Sequence, residues 1–283
     1  MGEALLVRKG GGVKVTIDGT EVSKGMNLAS YVASIRLKNI GTTIDNYYPR
    51  GVAMSDGIHL IVGSIHMLIN DDEHATMPPC PVSAKYENAV VELKDALYRT
   101  YQGNTAYAAY KFSDGTWTAL GEILPCMLYT SDENYAYGVT INSNTAEMYK
   151  YDGNTLTKIK DITNGFSSNL HLCDDGNFYF IDGGKNIKRM YKMKIEDTTA
   201  SMVFNFQTSY VSALFNAVGN DIYRNGNYKL ENQAFVETQF DGVNQTSANA
   251  SACIIVKNGE MHAFHNTKQH RIINAKLYRE VPQ

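Results

Sequence analysis

Two histidine-containing stretches carry residue types that metal binding and proton transfer use. The first, HMLINDDEH at 66–74, adds Asp71 and Asp72 to two histidines. A metal site would need such side chains to converge on one ion at about 2 to 2.6 Å, whereas an acidic run of this kind is more typical of a solvated loop. In the second stretch, His262 and His265 would point to opposite faces of a strand, because side chains alternate with a period of two. We therefore predict no metal and no cofactor.

Motifs for nucleophilic, zinc-dependent or phosphate chemistry are absent from the sequence. It contains no GxSxG, no HExxH and no phosphate-binding glycine loop. Residues 9–12 are glycine-rich but precede a hairpin pattern, and a phosphate cradle needs a helix N-terminus behind it. Asp174 and Asp175 are adjacent in a turn pattern, whereas a glycosidase pair faces across a cleft at roughly 5 to 10 Å. We predict no catalytic residue.

Arginines interrupt two strand patterns that are otherwise apolar. Arg99 in YRTY and Arg224 in YRNG could bind an anion, or each could pair with a carboxylate of the protein. Tyr47, Tyr48 and Arg50 offer aromatic and basic groups for contact with a ligand, and the alternative is plain packing against the first repeat. These five residues are the candidate binding residues.

Two matched segments indicate how the chain positions its side chains. The segments AAYKFSDGTWTALGEI (108–123) and AEMYKYDGNTLTKIKDI (146–162) lie 39 residues apart when aligned on Tyr110 and Tyr149. Each places a large apolar residue, Trp117 or Leu156, seven positions after that tyrosine. We predict that these four residues pack one repeat on the next, because large apolar side chains mostly serve cores.

Six similar units run through the chain from about residue 50. Each has an inner hairpin followed by an outer hairpin. The first large apolar residues after the inner turns are Ile58, Leu97, Tyr135, Phe178, Ile222 and Met261. Their spacings are 39, 38, 43, 44 and 39 residues, and a period near 40 with several strands suits propeller blades. The alternation has period two, which argues against helical solenoids. We predict an all-β protein with a single β-propeller at 49–283, of six blades with about four antiparallel strands each.

The first 48 residues do not follow the repeat and are predicted to form an N-terminal arm. Residues 13–22 read as a hairpin centred on Asp18 and Gly19, while 28–40 could be a strand pair or a short helix. The arm could supply a strand that closes the ring or could dock the propeller onto something else. It could also hold a seventh, irregular blade.

Composition excludes several classes of function. Charged residues make up 19% of the chain and the net charge is −3, which gives no footprint for nucleic acid. No apolar run is long enough to span a membrane, and the N-terminus lacks the pattern of a signal peptide. Four widely spaced cysteines predict buried, reduced thiols and synthesis in a cytoplasm.

The hairpin, the glycine pair Gly183–Gly184, the tyrosine-bearing strands and Trp117 together resemble kelch-type β-propellers. The resemblance covers roughly 50–283. It implies blade packing roles for the glycine pair and the tryptophan.

The opening ALLVRKGGG (4–12) resembles the start of tail-associated structural proteins of bacteriophages that infect Gram-positive gut bacteria. That resemblance implies a non-enzymatic virion protein of a tail or baseplate. It would be made in the host cytoplasm, present in multiple copies, and bound to other tail proteins or to a host-surface glycan. Two alternatives stay open: a propeller that degrades polysaccharide as a hydrolase or lyase, and a cytoplasmic protein-interaction propeller.

Overall fold

A computed structural model describes the chain in ranges separated by short gaps. The described ranges are 3–9, 12–17, 20–25, 33–42, 49–70, 73–82, 88–102, 107–120, 125–140, 146–162, 168–182, 189–206, 215–224, 228–232, 234–237, 252–258, 260–266 and 271–279. Side chains are described only from residue 49 onward. Tyr47, Tyr48, Gly183, Gly184, Asp71 and Asp72 lie outside the described residues.

Four strands precede the repeat units. They are β1 (Glu3–Lys9), β2 (Gly12–Ile17), β3 (Thr20–Gly25) and β4 (Ala33–Thr42). Ile17 lies opposite Thr20 in the β2–β3 pair, so these two strands form a hairpin at the predicted position. In the stretch 28–40, for which the sequence allowed a strand pair or a short helix, the described residues from 33 onward belong to the ten-residue strand β4.

Five four-stranded antiparallel sheets follow, and we number them blades 1 to 5. Blade 1 contains β5 (Arg50–Met54), β6 (Gly57–Val62), β7 (Ile65–Asn70) and β8 (Glu73–Thr76). Blade 2 contains β9 (Asn88–Leu93), β10 (Ala96–Gln102), β11 (Tyr107–Ser113) and β12 (Thr116–Ala119). Blade 3 contains β13 (Met127–Ser131), β14 (Ala136–Val139), β15 (Ala146–Tyr151) and β16 (Leu156–Ile162). Blade 4 contains β17 (Ser168–Leu172), β18 (Phe178–Ile181), β19 (Arg189–Met193) and β20 (Ser201–Asn205). Blade 5 contains β21 (Phe215–Val218), β22 (Asp221–Arg224), β23 (Tyr228–Glu231) and β24 (Ala234–Glu237).

The sixth sheet joins the two ends of the chain. It contains β25 (Ala252–Lys257), β26 (Glu260–Asn266) and β27 (Arg271–Arg279), and then β4 pairs antiparallel with β27. Strands β1, β2 and β3 continue the same sheet outward from β4, giving the order β25-β26-β27-β4-β1-β2-β3. Blade 6 therefore takes its fourth strand from the N-terminal segment.

The first strands of the six sheets form a closed circuit. Each of β5, β9, β13, β17, β21 and β25 contacts the next, and β25 also contacts β5. Six sheets around such a circuit define a six-bladed β-propeller, so the predicted all-β fold is confirmed. Among the described residues, no helix is long and apolar enough to cross a bilayer.

The turns show why these sequences form hairpins. Asp114 and Gly115 both have positive φ, 51° and 71°, and connect β11 to β12 as the two-residue turn that Asp-Gly favours. In blade 1 the pair Asp56–Gly57 does not fill both turn positions, because Met54 pairs with Gly57 and the connecting residues are Ser55 and Asp56.

The core lies between the blades. Alternating side chains send Ile58, Leu60 and Val62 of β6 toward blade 6, where they pack with Cys253 and Phe264 among others. Ile61, on the other face, packs with blade 2. Each buried side chain of this size contributes roughly 1.5 to 3 kcal/mol, so each blade is stabilised chiefly by its two neighbours.

Candidate functional site

Few polar side chains are buried in the part of the chain whose side chains are described. They are His59, His66, Arg99, Thr100, Asp182 and His262. The first three lie at the interface between blades 1 and 2, which we call the blade 1–2 interface. That concentration of basic groups in an apolar contact makes it the candidate functional site.

Strand register brings the two histidines together. His59 is on the face of β6 that points to blade 2, the same face as Ile61. Ile61 lies opposite His66 on β7, and directly opposed residues of an antiparallel pair share a face. The hairpin between β6 and β7 thus aligns both imidazoles on the blade 1–2 interface.

A hydrogen-bonded chain runs from the surface into this interface. His59 Nε2 lies 2.9 Å from Asp56 Oδ1, and His59 Nδ1 lies 2.9 Å from His66 Nε2. The Asp56 side chain is 54% exposed, while that of His59 is 1% exposed. Because an ionised carboxylate only accepts, His59 Nε2–H donates to Asp56, while the tautomers of the two rings decide which of them donates in the His59–His66 bond. The arrangement can hold a proton or pass one between Asp56 and His66.

Aromatic side chains of blade 2 enclose the histidines. The His66 ring meets Phe112 edge-on with centroids 4.6 Å apart, and Trp117 lies 5.4 Å away. Trp117 Nε1–H donates to the carbonyl oxygen of Pro78 at 3.1 Å, which fixes the indole against the chain leaving blade 1. Trp117 therefore packs against blade 1 and the chain that leaves it.

His66 is held in its neutral form. Burial lowers the pKa of His66 to about 4, and the charges of His59 and Arg99 act in the same direction. The Pro78 carbonyl and Asp56 oppose the shift but do not cancel it. At neutral pH this interface therefore contains an uncharged imidazole.

Arg99 has the most unusual environment of the predicted binding residues. It lies on β10, one strand outward from the innermost strand β9, and its side chain is 0% exposed. Nη1 donates to the carbonyl oxygen of Gly63 at 2.7 Å. Nε and Nη2 make no hydrogen bond, so the pairing with a blade carboxylate considered from the sequence is not what its contacts show.

The other predicted residues are distributed around the ring. Arg50 starts β5, the innermost strand of blade 1, and its charge lowers the pKa of Cys253 against a larger, opposite effect of burial. Arg224 ends β22 of blade 5, and its side chain is not described. The structure therefore does not bring Arg224 to Arg99, which lies in blade 2.

The predicted packing residues occupy blade faces. Tyr110 stacks on Tyr101 with centroids 6.4 Å apart and planes 14° apart. Tyr149 and Leu156 of blade 3 pack against a cluster that includes Val91 of blade 2. Tyr149 and Leu156 therefore pack on the preceding blade, as Trp117 does, whereas the ring that Tyr110 stacks on belongs to its own blade.

His59 and Asp56 were not predicted as members of the site. A usable signal was present, since two histidines occur in one hairpin with an apolar residue on either side of each. No group of three or more His, Cys, Asp or Glu within the described ranges is arranged to hold a metal ion. Of the acidic stretch weighed as a metal site, Glu73 and His74 are exposed on β8 while His66 is buried.

Comparisons with known proteins show likeness in structure only. No family model and no curated protein matches the sequence. A nidogen/laminin complex structure matches with a TM-score of 0.47 and 11% identity, covering 80% of this chain and 88% of that chain. The structure of TolB from Acinetobacter baumannii matches with a TM-score of 0.47 and 9% identity, covering 95% of this chain and 78% of that chain. The structure of a streptogramin B lyase matches with a TM-score of 0.49 and 14% identity, covering 88% of each chain.

Proposed function

We propose that the protein is a non-enzymatic binding propeller that serves as a structural or adhesion component of a bacteriophage tail or baseplate. Its partner would be another tail protein or a ligand on the host surface. The observation that carries the proposal is the extension of blade 6 by the three strands β1, β2 and β3.

This extension is more than ring closure requires. Pairing of β4 with β27 already gives blade 6 four strands, the number in every other blade. Strands β1 to β3 extend the same sheet beyond its fourth strand, away from β25. An outer sheet edge offers backbone donors and acceptors to a partner strand, which is a common mode of protein association.

Polar groups at the blade 1–2 interface support a role without catalysis. Asp56 and the two histidines are hydrogen-bonded to one another, and Phe112 and Trp117 cover His66. A general base has to reach a substrate proton at about 2.6 to 3.2 Å. The buried imidazole of His66 instead faces aromatic rings.

Mass spectrometry of tailed particles purified on a density gradient from a lysate of the source culture tests the proposal. Peptides of this chain should co-purify with tail proteins at a stable stoichiometry. As a control, the same gradient fractions are analysed from a culture that releases no particles. A chain found only in the soluble fraction would contradict the proposal and move attention to glycan-degradation assays.

A second experiment tests the extension itself. Full-length chain and a chain lacking residues 1–26 are each immobilised and exposed to disassembled tail proteins. We expect the full-length chain to retain a tail protein and the shortened chain to lose it. Equal retention by both would exclude β1 to β3 as the contact.

A further inference from the structure

We propose that Arg99 forms a buried binding site for a small inorganic anion of chloride size at the blade 1–2 interface. A guanidinium stays protonated at every pH a protein experiences. Burying such a charge without a counter-ion costs several kcal/mol. Arg99 is 0% exposed, and its one described hydrogen bond goes to the carbonyl oxygen of Gly63, which carries no formal charge.

The unsatisfied atoms form a ready-made fork. Nε and Nη2, which make no hydrogen bond, lie on the same edge of the planar guanidinium, so an N–H of each points in nearly the same direction. Nη1, on the opposite side, is held by Gly63 at 2.7 Å. The bond to Gly63 therefore orients the fork, and an anion placed between Nε–H and Nη2–H would accept two charge-assisted hydrogen bonds.

Carboxylates around this interface are engaged elsewhere. Asp56 accepts from His59, and Asp95 accepts from the Ser55 backbone N–H and hydroxyl at 3.1 and 2.6 Å. Glu92 accepts from the Asp95 backbone N–H at 2.7 Å. These bonds hold three carboxylates near the turns at residues 55–56 and 94–95. The Arg99 charge also helps to lower the pKa of His66, so its field reaches the interior.

Burial limits the size of the ligand. Nε and Nη2 have almost no surface accessible to solvent, so a monatomic anion displaces the packed blades least. A water molecule could also accept from the fork, but it would leave the positive charge uncompensated. The site therefore favours halide over phosphate or sulfate.

The test compares thermal unfolding in sodium chloride, sodium bromide and sodium gluconate at equal ionic strength. A ligand that binds only the native state at about a hundred times its dissociation constant raises the melting temperature of a chain this size by about 5 °C. We expect chloride and bromide to give a saturable rise and gluconate none. Equal melting temperatures in all three salts would overturn the proposal and leave the fork dry or hydrated.

Variants separate this site from general salt effects. Arg99→Met removes the fork and should abolish the halide dependence. The matched control Arg189→Met changes a 41% exposed arginine beside Asp182 and should keep the dependence. If Arg99→Met does not fold, anomalous diffraction from bromide-soaked crystals of the wild-type protein shows whether an anion binds at Arg99. An anomalous peak within hydrogen-bond distance of Nε and Nη2 supports the site, and its absence contradicts it.

Discussion

His66 is a residue whose neutral state is set by the blades around it. Its imidazole extends from β7 into the blade 1–2 interface, where it is bonded to His59 and covered by Phe112 and Trp117. Protonating it in the folded protein would place a second positive charge near Arg99 in an apolar contact. The fold therefore disfavours the proton that the same side chain accepts freely when the chain is unfolded.

We expect this difference to make the protein sensitive to acid. In the unfolded chain His66 binds a proton near pH 6.5, while burial lowers the folded pKa to about 4. The unfolded state thus holds more protons between these values, so stability is fully present above about pH 6.5 and falls as the pH drops toward 4. The loss attributable to this group at pH 4.5 should be about 2 to 3 kcal/mol, measured by urea unfolding at pH 7.5 and 4.5.

His66→Gln should remove most of that pH dependence. The control His74→Gln changes an exposed histidine of the same blade and should leave the dependence as in wild type. If the free energy of unfolding of His66→Gln falls between pH 7.5 and 4.5 as much as that of the wild type, the acid sensitivity comes from other groups.

Individual residues of the site could be predicted from the sequence more readily than the contacts between them. Arg99 could be selected because it interrupts an apolar strand pattern. Its partner could not, because Gly63 lies 36 residues away and the contact depends on how two blades pack. His59 was missed for a related reason, since its bond to His66 depends on the hairpin register.

Strand β4 is the element on which the ring depends. It pairs with β27 along nearly its whole length, from Ala33 opposite Arg279 to Thr42 opposite Arg271. Without it, β27 would present an unpaired edge, which invites association with other chains. The three strands beyond β4 have no such role in closure.

Two truncations test this division. Removing residues 1–43 deletes β4, and we expect a clear loss of thermal stability together with aggregation. Removing residues 1–26 keeps β4 paired and should leave a monomeric ring with a melting temperature close to that of the full chain. Circular dichroism melts and size-exclusion chromatography measure both effects, and equal stability of the two truncations would argue against closure by β4.

The strands inside the repeat could be predicted because local chemistry specifies them. Asp114 and Gly115 adopt the positive φ values that the Asp-Gly pair indicated. By contrast, Lys94 and Asp95 form a comparable turn without glycine, with φ of 53° and 55°. The state of 28–40 stayed open because the partner of β4 lies at the far end of the sequence, where local periodicity carries no information about it.

The whole molecule is a ring in which every blade contacts two others. The four cysteines are distributed around the ring. Cys80 follows blade 1, and the others lie in or beside blades 3, 4 and 6. All four are free and buried, as the sequence predicted. Burial raises the pKa of the Cys126 and Cys173 thiols to about 12 and that of Cys253 to about 11.

We expect all four thiols to resist modification in the folded ring. The thiolate is the reactive form, so the raised pKa values of Cys126, Cys173 and Cys253 protect them at pH 8 in addition to burial, whereas Cys80 is protected by burial. Ellman's reagent should therefore report almost no reaction in buffer. In denaturant the four thiols should become reactive together, because opening one blade exposes its neighbours. A single thiol that reacts quickly in native buffer would show that one blade opens independently.

The blade number could be predicted from a period near 40, since four short strands and their turns need about that many residues. The closing strand could not be found in the same way, because β4 shares no repeat pattern. A hint existed in the last unit, which supplies three strands in the described structure where the others supply four.

Closure by β4 also imposes an order on synthesis. Residues 33–42 leave the ribosome before every strand of blades 1 to 5, yet their partner β27 emerges after all of those strands. The ring can close only after β27 has emerged, and contacts between such distant segments slow folding. Until then the edge of β4 that later pairs with β27 is open in a crowded cell. A chaperone, or the pairing of β1 to β4 among themselves, would have to protect it during that interval.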